Sequence, residues 1–256
     1  TTTYQNIQGG TDIEMVDLSA SYQEVSQFEQ SAQQWWDSEG EFSGLHKMNP
    51  IRLSFIKDRL CEHFDRHRDE RKPFRGLNII DVGCGGGLLC EPLSRLGAEV
   101  TGIDAGKNNI EVAKRHSKEK DVSVNYKKCL PEDVVKNGNT YDVVISLEVI
   151  EHVINAEDFV KTCCQLLNPG GVIIFSTLNR TVESLALAKL GAEFIFRLVP
   201  VGTHSWRKFI KPSELAKFLR QSGLYLDYLQ GMVYYPLYDE WRLSKNVKIN
   251  YVISAK

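Results

Sequence analysis

The sequence predicts an α/β fold built on a mostly parallel sheet. From Leu77 onward, short apolar runs alternate with helical patterns, an order typical of βαβ units. The first run ends at Asp81 and is followed by four glycines within five positions, as expected for a buried strand that turns sharply into a helix. The second run ends at Asp104, so acids follow two successive strands. Seven strands can be counted along the chain.

Composition narrows the class of protein. With 256 residues and 42% hydrophobic content, the chain can bury one sizeable core. Its net charge of −2 provides no general attraction to nucleic acid, so no nucleic-acid partner is expected. The six cysteines show no C-x-x-C pairing and predict reduced thiols. No apolar run reaches the roughly 18 residues of a membrane-spanning helix.

Three regions are predicted along the chain. Residues 1–20 are polar and are expected to be disordered or extended. Residues 21–76 are predicted to form a helical lid, with one helix beginning near Ser21 and a second over residues 51–64. Residues 77–256 form the main domain, with an insertion at about 180–204. Trp35 and Trp36 of the lid suit either plain packing or contact with a substrate.

The glycine-rich stretch Asp81-Val-Gly-Cys-Gly-Gly-Gly-Leu88 predicts a nucleotide-like ligand held near Gly83 and Gly85. It is an incomplete dinucleotide fingerprint, since Leu88 replaces the third glycine of G-x-G-x-x-G. Asp104 lies about 20 residues further on, where a ribose diol would be bound. This pair of motifs resembles class I methyltransferases that use S-adenosylmethionine (SAM), a Rossmann-like fold whose last two strands form an antiparallel pair at the sheet edge.

Arg52 on the second lid helix has two interpretations. It is either a solvated helix residue or the counter-charge for the methionine carboxylate of SAM. The stretch from Cys129 to Asp133 falls where the class usually binds adenine.

The remaining elements follow from periodicity and from turn residues. Strands are predicted at residues 98–104, 122–126, 141–146, 172–177, 224–231 and 247–254. Helices are predicted at 88–96, 106–119, 155–167 and 213–222, the last capped by Ser213 and ended by Gly223. The aromatic stretch Met232–Leu243 between the last two strands is a candidate lining for a hydrophobic channel.

The segment after the fourth strand carries the candidate chemistry. If it is helical, Glu148, Glu151 and His152 share one face, because positions i, i+3 and i+4 are neighbours on a helix. Two carboxylates and an imidazole suit a divalent metal. Without a metal, His152 would be a general base and the glutamates would be structural.

The insertion after the fifth strand is rich in apolar residues over 184–199, with Lys189 and Arg197 interspersed. This pattern suits a helix lying on a membrane surface, a lid over the site, or both. His204, at its end, is a further candidate base or substrate-binding residue.

Several stretches together resemble one family closely, the ubiquinone-biosynthesis O-methyltransferases. They are Trp35-Trp36-Asp, Leu45-His-Lys-Met-Asn-Pro-Ile-Arg52, the glycine motif, Glu148-Val-Ile-Glu-His-Val153 and Gly202-Thr-His-Ser-Trp-Arg-Lys-Phe-Ile210. The resemblance covers residues 28–256. It implies SAM contacts at Arg52, Gly83, Asp104 and Leu147, and a divalent metal, Mg²⁺ before Zn²⁺ or Mn²⁺, at Glu148, Glu151 and His152.

The resemblance implies methylation of a polyprenylated catechol, a precursor of coenzyme Q. Other coenzyme Q biosynthesis proteins are then possible partners. The expected location is the matrix side of the mitochondrial inner membrane, or the cytoplasmic face of the membrane in a bacterium. Two alternatives stay open: a soluble methyltransferase acting on a small metabolite, and a SAM-binding scaffold subunit without turnover.

Overall fold

The structure, a computed structural model, describes residues 22–189 and 206–256. Within them the chain forms one eight-stranded sheet in the order β3-β2-β1-β4-β5-β8-β6-β7. The strands are β1 Asn78–Val82, β2 Glu99–Asp104, β3 Asn125–Lys128, β4 Tyr141–Leu147, β5 Leu167–Leu178, β6 Leu226–Tyr235, β7 Glu240–Ser244 and β8 Asn250–Ala255. Strands β1 to β5 pair in parallel, which confirms the predicted parallel sheet.

Helices lie between most of these strands. They are α1 Tyr22–Gln30, α2 Ser43–His63, α3 Cys90–Arg95, α4 Lys107–Glu119, α5 Pro131–Lys136, α6 Ala156–Gln165, α7 Val182–Lys189 and α8 Pro212–Gln221. Short 3₁₀ turns occupy Ala32–Gln34 and Trp206–Lys208. Helices α1 and α2 precede the sheet, as predicted for residues 21–76, but α2 begins at Ser43 rather than at residue 51. The predicted boundary between a lid and a main domain at residue 76 stays a prediction. Side chains of α2 such as Phe55 pack in the same core as residues of the sheet.

The core has two layers, one on each face of the sheet. Ile79 belongs to the layer that includes α2, α3 and α4, and Ile80 belongs to the layer that includes α6 and α8. Val143 and Val144 divide between the two layers in the same way. Because successive strand residues point to opposite faces, a continuous apolar run is what a sheet covered on both sides requires.

The far edge of the sheet differs from the prediction in its strand count. Strand β8 is antiparallel to both β5 and β6, as the predicted edge pair requires. An eighth strand, β7, continues the sheet beyond β6. It lies in the aromatic stretch for which a channel lining was predicted, and its Trp241 is buried in the core against Tyr234. Cross-strand packing of aromatic residues in a hairpin explains this pattern.

Two helix starts illustrate what determines element boundaries. Asn155 caps α6 by accepting hydrogen bonds from the amides of Glu157 and Asp158. The predicted cap of α8 at Ser213 is wrong, because the helix begins one residue earlier at Pro212. There the Glu214 carboxylate accepts a hydrogen bond from the Lys211 amide at 2.9 Å. Proline at the first helical position accounts for the shift, since it needs no backbone donor.

No helix within residues 22–189 and 206–256 is long and apolar enough to cross a membrane. Residues 1–20, for which disorder or an extended segment was predicted, lie outside the described residues. The same holds for most of the stretch 184–199, for which membrane docking was predicted.

Candidate active site

A cavity opens at the carboxyl ends of β1, β2 and β4, where the strand order reverses between β1 and β4. Ligands of open α/β sheets bind at this position. The structure brings all five predicted cofactor residues and two of the predicted catalytic residues to its wall: Arg52, Gly83, Gly85, Asp104, Leu147, Glu148 and His152. Glu151 is not among the lining side chains and lies buried behind them. His204 lies outside the described residues.

The glycine loop is shaped by contact with the lid. Gly85 has φ of +51°, and a Cβ built on it would lie 2.4 Å from the Trp35 ring. Trp35 stacks on Phe42 at 4.0 Å between ring centroids, and its Nε1 donates to Asn109 Oδ1 at 2.9 Å. Trp36 Nε1 donates to the carbonyl oxygen of Gly86. Both tryptophans therefore hold the loop, which favours packing over contact with a substrate.

Substitution of Gly85 by alanine is expected to abolish cofactor binding and to lower the free energy of unfolding by several kcal/mol. The left-handed backbone costs roughly 1–2 kcal/mol for a residue with a Cβ, and the clash with Trp35 adds to this. Gly138→Ala is the matched control, since Gly138 has φ of +69° and a Cβ added to it would meet nothing within 4 Å. Calorimetry with S-adenosylhomocysteine (SAH) and urea unfolding measure the two effects. Equal stability losses in both variants would contradict the Trp35 contact.

Asp104 ties the loop to the second strand. Its Oδ2 accepts the Gly85 amide at 3.0 Å, and its Oδ1 accepts the Gly106 amide at 2.7 Å and Asn109 Nδ2 at 3.0 Å. Burial raises the pKa of this carboxyl, and these hydrogen bonds oppose the rise. Each carboxylate oxygen can accept two hydrogen bonds, so Oδ2 retains a lone pair for a ribose hydroxyl.

Asp81 lies under the cavity and is 4% exposed. Burial raises its pKa to about 7, against a hydrogen bond donated by Cys90 Sγ at 3.2 Å. A carboxyl whose pKa is higher in the folded state binds protons more tightly there. Its contribution to stability is therefore lost as pH rises through the folded pKa.

The variant Asp81→Asn is therefore expected to gain stability relative to the parent protein as pH rises from 4 to 7, by a few kcal/mol, with no further gain above that range. Asparagine keeps the acceptor for Cys90, so packing changes little. Denaturant unfolding without cofactor at pH 5 and pH 8.5 measures the difference. A difference independent of pH would contradict the raised pKa.

The acid and histidine segment is not the predicted helix. Residues 148–152 form a turn in which the His152 amide donates to the Val149 carbonyl at 2.8 Å. Glu148 has φ of +56°, a conformation uncommon for residues other than glycine. The turn points Glu148 and His152 into the cavity and buries Glu151, whose Oε2 accepts from Thr177 Oγ1 at 2.8 Å. Burial, and then the Glu148 charge, raise the pKa of Glu151 to about 7.

Arg52 lies opposite Glu148, with its Nη2 3.1 Å from Glu148 Oε1. Both side chains are less than a tenth exposed. Burial rules out the interpretation of Arg52 as a solvated helix residue and leaves a cation at the cavity wall.

Glu24 on α1 is a site residue that sequence reasoning missed. Its Oε2 lies 3.1 Å from His152 Nδ1, and its Oε1 lies 2.8 Å from Lys208 Nζ. Burial alone would raise the pKa of Glu24, but hydrogen bonds from His152 and Lys208 outweigh it and lower the pKa to about 2. These two partners are 128 and 184 residues away in sequence, so no local sequence pattern could have predicted that Glu24 contacts them.

The three predicted metal ligands are not arranged as a metal site in this structure. No group of three or more His, Cys, Asp and Glu side chains in the described part of the chain could hold a metal ion. Glu148 is directed to Arg52 and Ser176, and His152 to Glu24. The donor chemistry nevertheless fits a hard cation, since Glu148 Oε2 and Glu151 Oε1 are buried without a hydrogen-bond partner.

Comparison with known proteins shows which family this chain resembles. Residues 52–229 match the family described as methyltransferase domain. The ubiquinone biosynthesis O-methyltransferase of Mesorhizobium japonicum is 46% identical over 91% of this chain and 94% of its own length. The ubiquinone biosynthesis O-methyltransferase of Methylobacterium is 44% identical over 93% of this chain and 96% of its own length. The magnesium protoporphyrin IX methyltransferase of Synechocystis, solved with bound SAH, shares the fold with a TM-score of 0.62 at 19% identity, covering 91% of this chain and 95% of its own.

Proposed function

The chain belongs to the ubiquinone biosynthesis O-methyltransferase family of SAM-dependent methyltransferases, and we propose that it methylates a catechol hydroxyl of a polyprenylated ubiquinone precursor. The observation that carries this proposal is the cavity itself. Arg52 suits the methionine carboxylate at one end, Asp104 suits the ribose, and Cys129 with Leu130 suits the adenine at the other. The turn at residues 148–152 lies between the methionine end of the cavity and the carboxyl end of β4.

Methyl transfer is a direct displacement between the acceptor oxygen and the sulfonium. The new bond joins the catechol oxygen to the methyl carbon, the bond from that carbon to sulfur breaks, and SAH leaves with the electron pair. The hydroxyl proton must pass to a base. Most of the rate enhancement comes from alignment of oxygen, methyl and sulfur, which binding of both substrates side by side in the cavity would provide.

His152 is the base that the geometry supports best. A carboxylate on Nδ1 favours the tautomer in which Nε2 carries the lone pair that can accept a proton. Glu24 therefore orients His152 and stabilises the imidazolium that forms. His204 remains a second candidate from the sequence. General base catalysis of this kind contributes about 10²–10⁴ in rate.

The family resemblance implies a divalent metal, which we propose as the alternative to base catalysis by His152, because a histidine that ligates a metal through Nε2 has no lone pair left for the catechol proton. Glu148, Glu151 and His152 would hold it, and Mg²⁺, or Zn²⁺ or Mn²⁺, would supply Lewis-acid stabilisation of a catecholate. The two buried carboxylate oxygens without partners support this assignment.

The polyprenyl tail of the proposed substrate requires access to a membrane, and we propose that residues 184–199 lie on its surface. The insertion leaves the sheet at the end of β5, the same edge as the cavity. Strand β6 runs parallel to β5, so its hairpin with β7 leaves the same edge. Large exposed apolar residues collect there, including Val182 at 76% and Leu237 at 94% exposure. These features support membrane contact at the cavity side.

Replacing Phe194 and Phe196 by glutamate is expected to reduce cosedimentation with phospholipid vesicles severalfold, because each charge opposes burial in the lipid interface. SAH affinity should remain unchanged. Tyr225→Glu serves as the control, since Tyr225 is 68% exposed and precedes β6 at the opposite edge. Equal vesicle binding by the double variant and the parent protein would refute the docking role.

The proposed location follows from the substrate: the matrix side of the mitochondrial inner membrane, or the cytoplasmic face in a bacterium. Other coenzyme Q biosynthesis proteins are proposed as partners there.

The deciding experiment is methyl transfer from labelled SAM to a prenylated catechol in detergent, with EDTA and with Mg²⁺ added back. A methylated product is expected. Loss of activity with EDTA and its recovery with Mg²⁺ would support a role of the metal in the reaction. Activity that does not change with EDTA would mean that His152 or His204 accepts the proton without a metal. SAH binding without product from any catechol would contradict catalysis. Equal turnover of a tail-less catechol would favour a soluble substrate.

A further inference from the structure

Arg52 keeps donor capacity that the protein does not use. The guanidinium is 5% exposed, yet its Nε and Nη2 donate no hydrogen bond to any residue in the described ranges. The 3.1 Å contact with Glu148 is an ion pair without hydrogen-bond alignment. Buried guanidinium groups normally place their donors on acceptors, so this one is poorly satisfied by Glu148.

Glu148 is also incompletely satisfied. Ser176 Oγ donates to its Oε1 at 2.7 Å, whereas Oε2 is buried without a partner. Its backbone is held at φ of +56°, which costs of order 1–3 kcal/mol for a residue other than glycine. The ion pair therefore leaves hydrogen-bonding atoms of both side chains without a partner, so each side chain could form additional hydrogen bonds with another group.

We propose that Glu148 competes with the cofactor for Arg52: it neutralises the guanidinium in the free enzyme, and the methionine carboxylate of SAM displaces it. This inference rests on the proposed function, because it takes Arg52 as the partner of that carboxylate. A guanidinium presents a planar fork that fits one carboxylate bidentately. The cofactor carboxylate, free to approach in the fork geometry, satisfies the donors that Glu148 leaves open.

Displacement has a consequence for the order of events. Once SAM holds Arg52, the Glu148 carboxylate loses its counter-charge while it still lines the cavity. The acceptor hydroxyl then meets a carboxylate only when the methyl donor is already bound. Competition also reduces apparent cofactor affinity, because the ion pair must separate first.

The test is the affinity for SAH, measured by calorimetry at pH 8.5 in EDTA. Glu148→Gln keeps the shape and the acceptor for Ser176 while removing the competing charge. We expect SAH to bind about five- to tenfold more tightly to this variant. Binding of 5′-methylthioadenosine, which lacks the carboxylate, should not change. If the variant does not fold, Glu148→Asn carries the same test, since asparagine tolerates positive φ.

Glu151→Gln is the matched control. It removes a second buried carboxylate of the same turn, which likewise accepts a hydrogen bond from a hydroxyl, that of Thr177, but which does not line the cavity. SAH affinity should stay within about twofold of the parent value. An equal gain in both variants would show a general charge effect and overturn the proposal.

A double-mutant cycle completes the test. In Arg52→Gln, adding Glu148→Gln should no longer tighten SAH binding, because the contested partner is gone. Weaker SAH binding in Glu148→Gln would mean that Glu148 contacts the cofactor itself, and an unchanged affinity would mean no competition; both overturn this inference alone. Failure of the parent protein to bind SAH would instead contradict the proposed function.

Discussion

Arg52→Gln is expected to weaken SAH binding about ten- to hundredfold, because a charge-assisted hydrogen bond contributes roughly 1.5–3 kcal/mol. The free protein should also lose stability, by about 3–5 kcal/mol, since Glu148 would remain buried without its counter-charge. Calorimetry with SAH and thermal unfolding without cofactor measure the two effects. Affinity for 5′-methylthioadenosine should change little, because that ligand lacks the carboxylate.

Arg59→Gln is the control for this substitution. Arg59 lies two turns further along α2, is 14% exposed, pairs with Glu62 at 2.8 Å, and has its guanidinium 4.0 Å from the Tyr228 ring centroid. It does not line the cavity. Its loss should lower stability without changing SAH affinity. An Arg52 variant that binds SAH as well as the parent protein would remove the methionine end of the proposed site.

His152→Gln is expected to lower kcat by about 10²–10⁴ at pH 7 while changing SAH affinity by no more than a few-fold. The reason is that glutamine fills a similar space but cannot accept the catechol proton. Part of the rate should return at high pH, where the catechol ionises without help. Glu24→Gln should lower kcat less, because the imidazole remains and loses only its orienting carboxylate.

The chain offers a matched His–Glu pair as the control. His116 Nδ1 lies 2.7 Å from Glu91 Oε1, outside the cofactor cavity. His116→Gln should therefore leave kcat and its pH dependence unchanged. A His152 variant whose rate falls by the same factor at pH 7 and at pH 9.5 would contradict the role as a base and indicate a positioning role.

Sequence reasoning was most successful where the signal is local. The apolar run from Leu77 to Asp81, the glycines after it and the acid at Asp104 lie within 28 positions, and each reflects a backbone requirement of its own segment. Their order predicted the parallel sheet and a ligand near Gly83 and Gly85; the structure has this sheet, and a cavity lies beside those glycines. The eighth strand was missed although Glu240–Ser244 alternates polar and apolar residues, because it is only five residues long and its pairing with β6 depends on a hairpin.

The turn at Glu148 shows where periodicity misleads. Spacing of i, i+3 and i+4 predicted convergence on a helix, but the chain folds as a turn with positive φ at Glu148. In consequence Glu148 and His152 reach the cavity while Glu151 is buried behind it. The roles of the three residues stay predictions, and their relative positions depend on how β4 ends against β5.

The sequence by itself thus determined the fold class, the glycine loop and the acid at Asp104, because these follow from contacts between near neighbours in the chain. Only the tertiary structure decided that Arg52 pairs with Glu148, that Trp35 rests on Gly85, and that Glu24 holds His152. These partners are 50 to 128 positions apart. Side-chain pairs at such separations are set by how helices pack on the sheet, which no local pattern encodes.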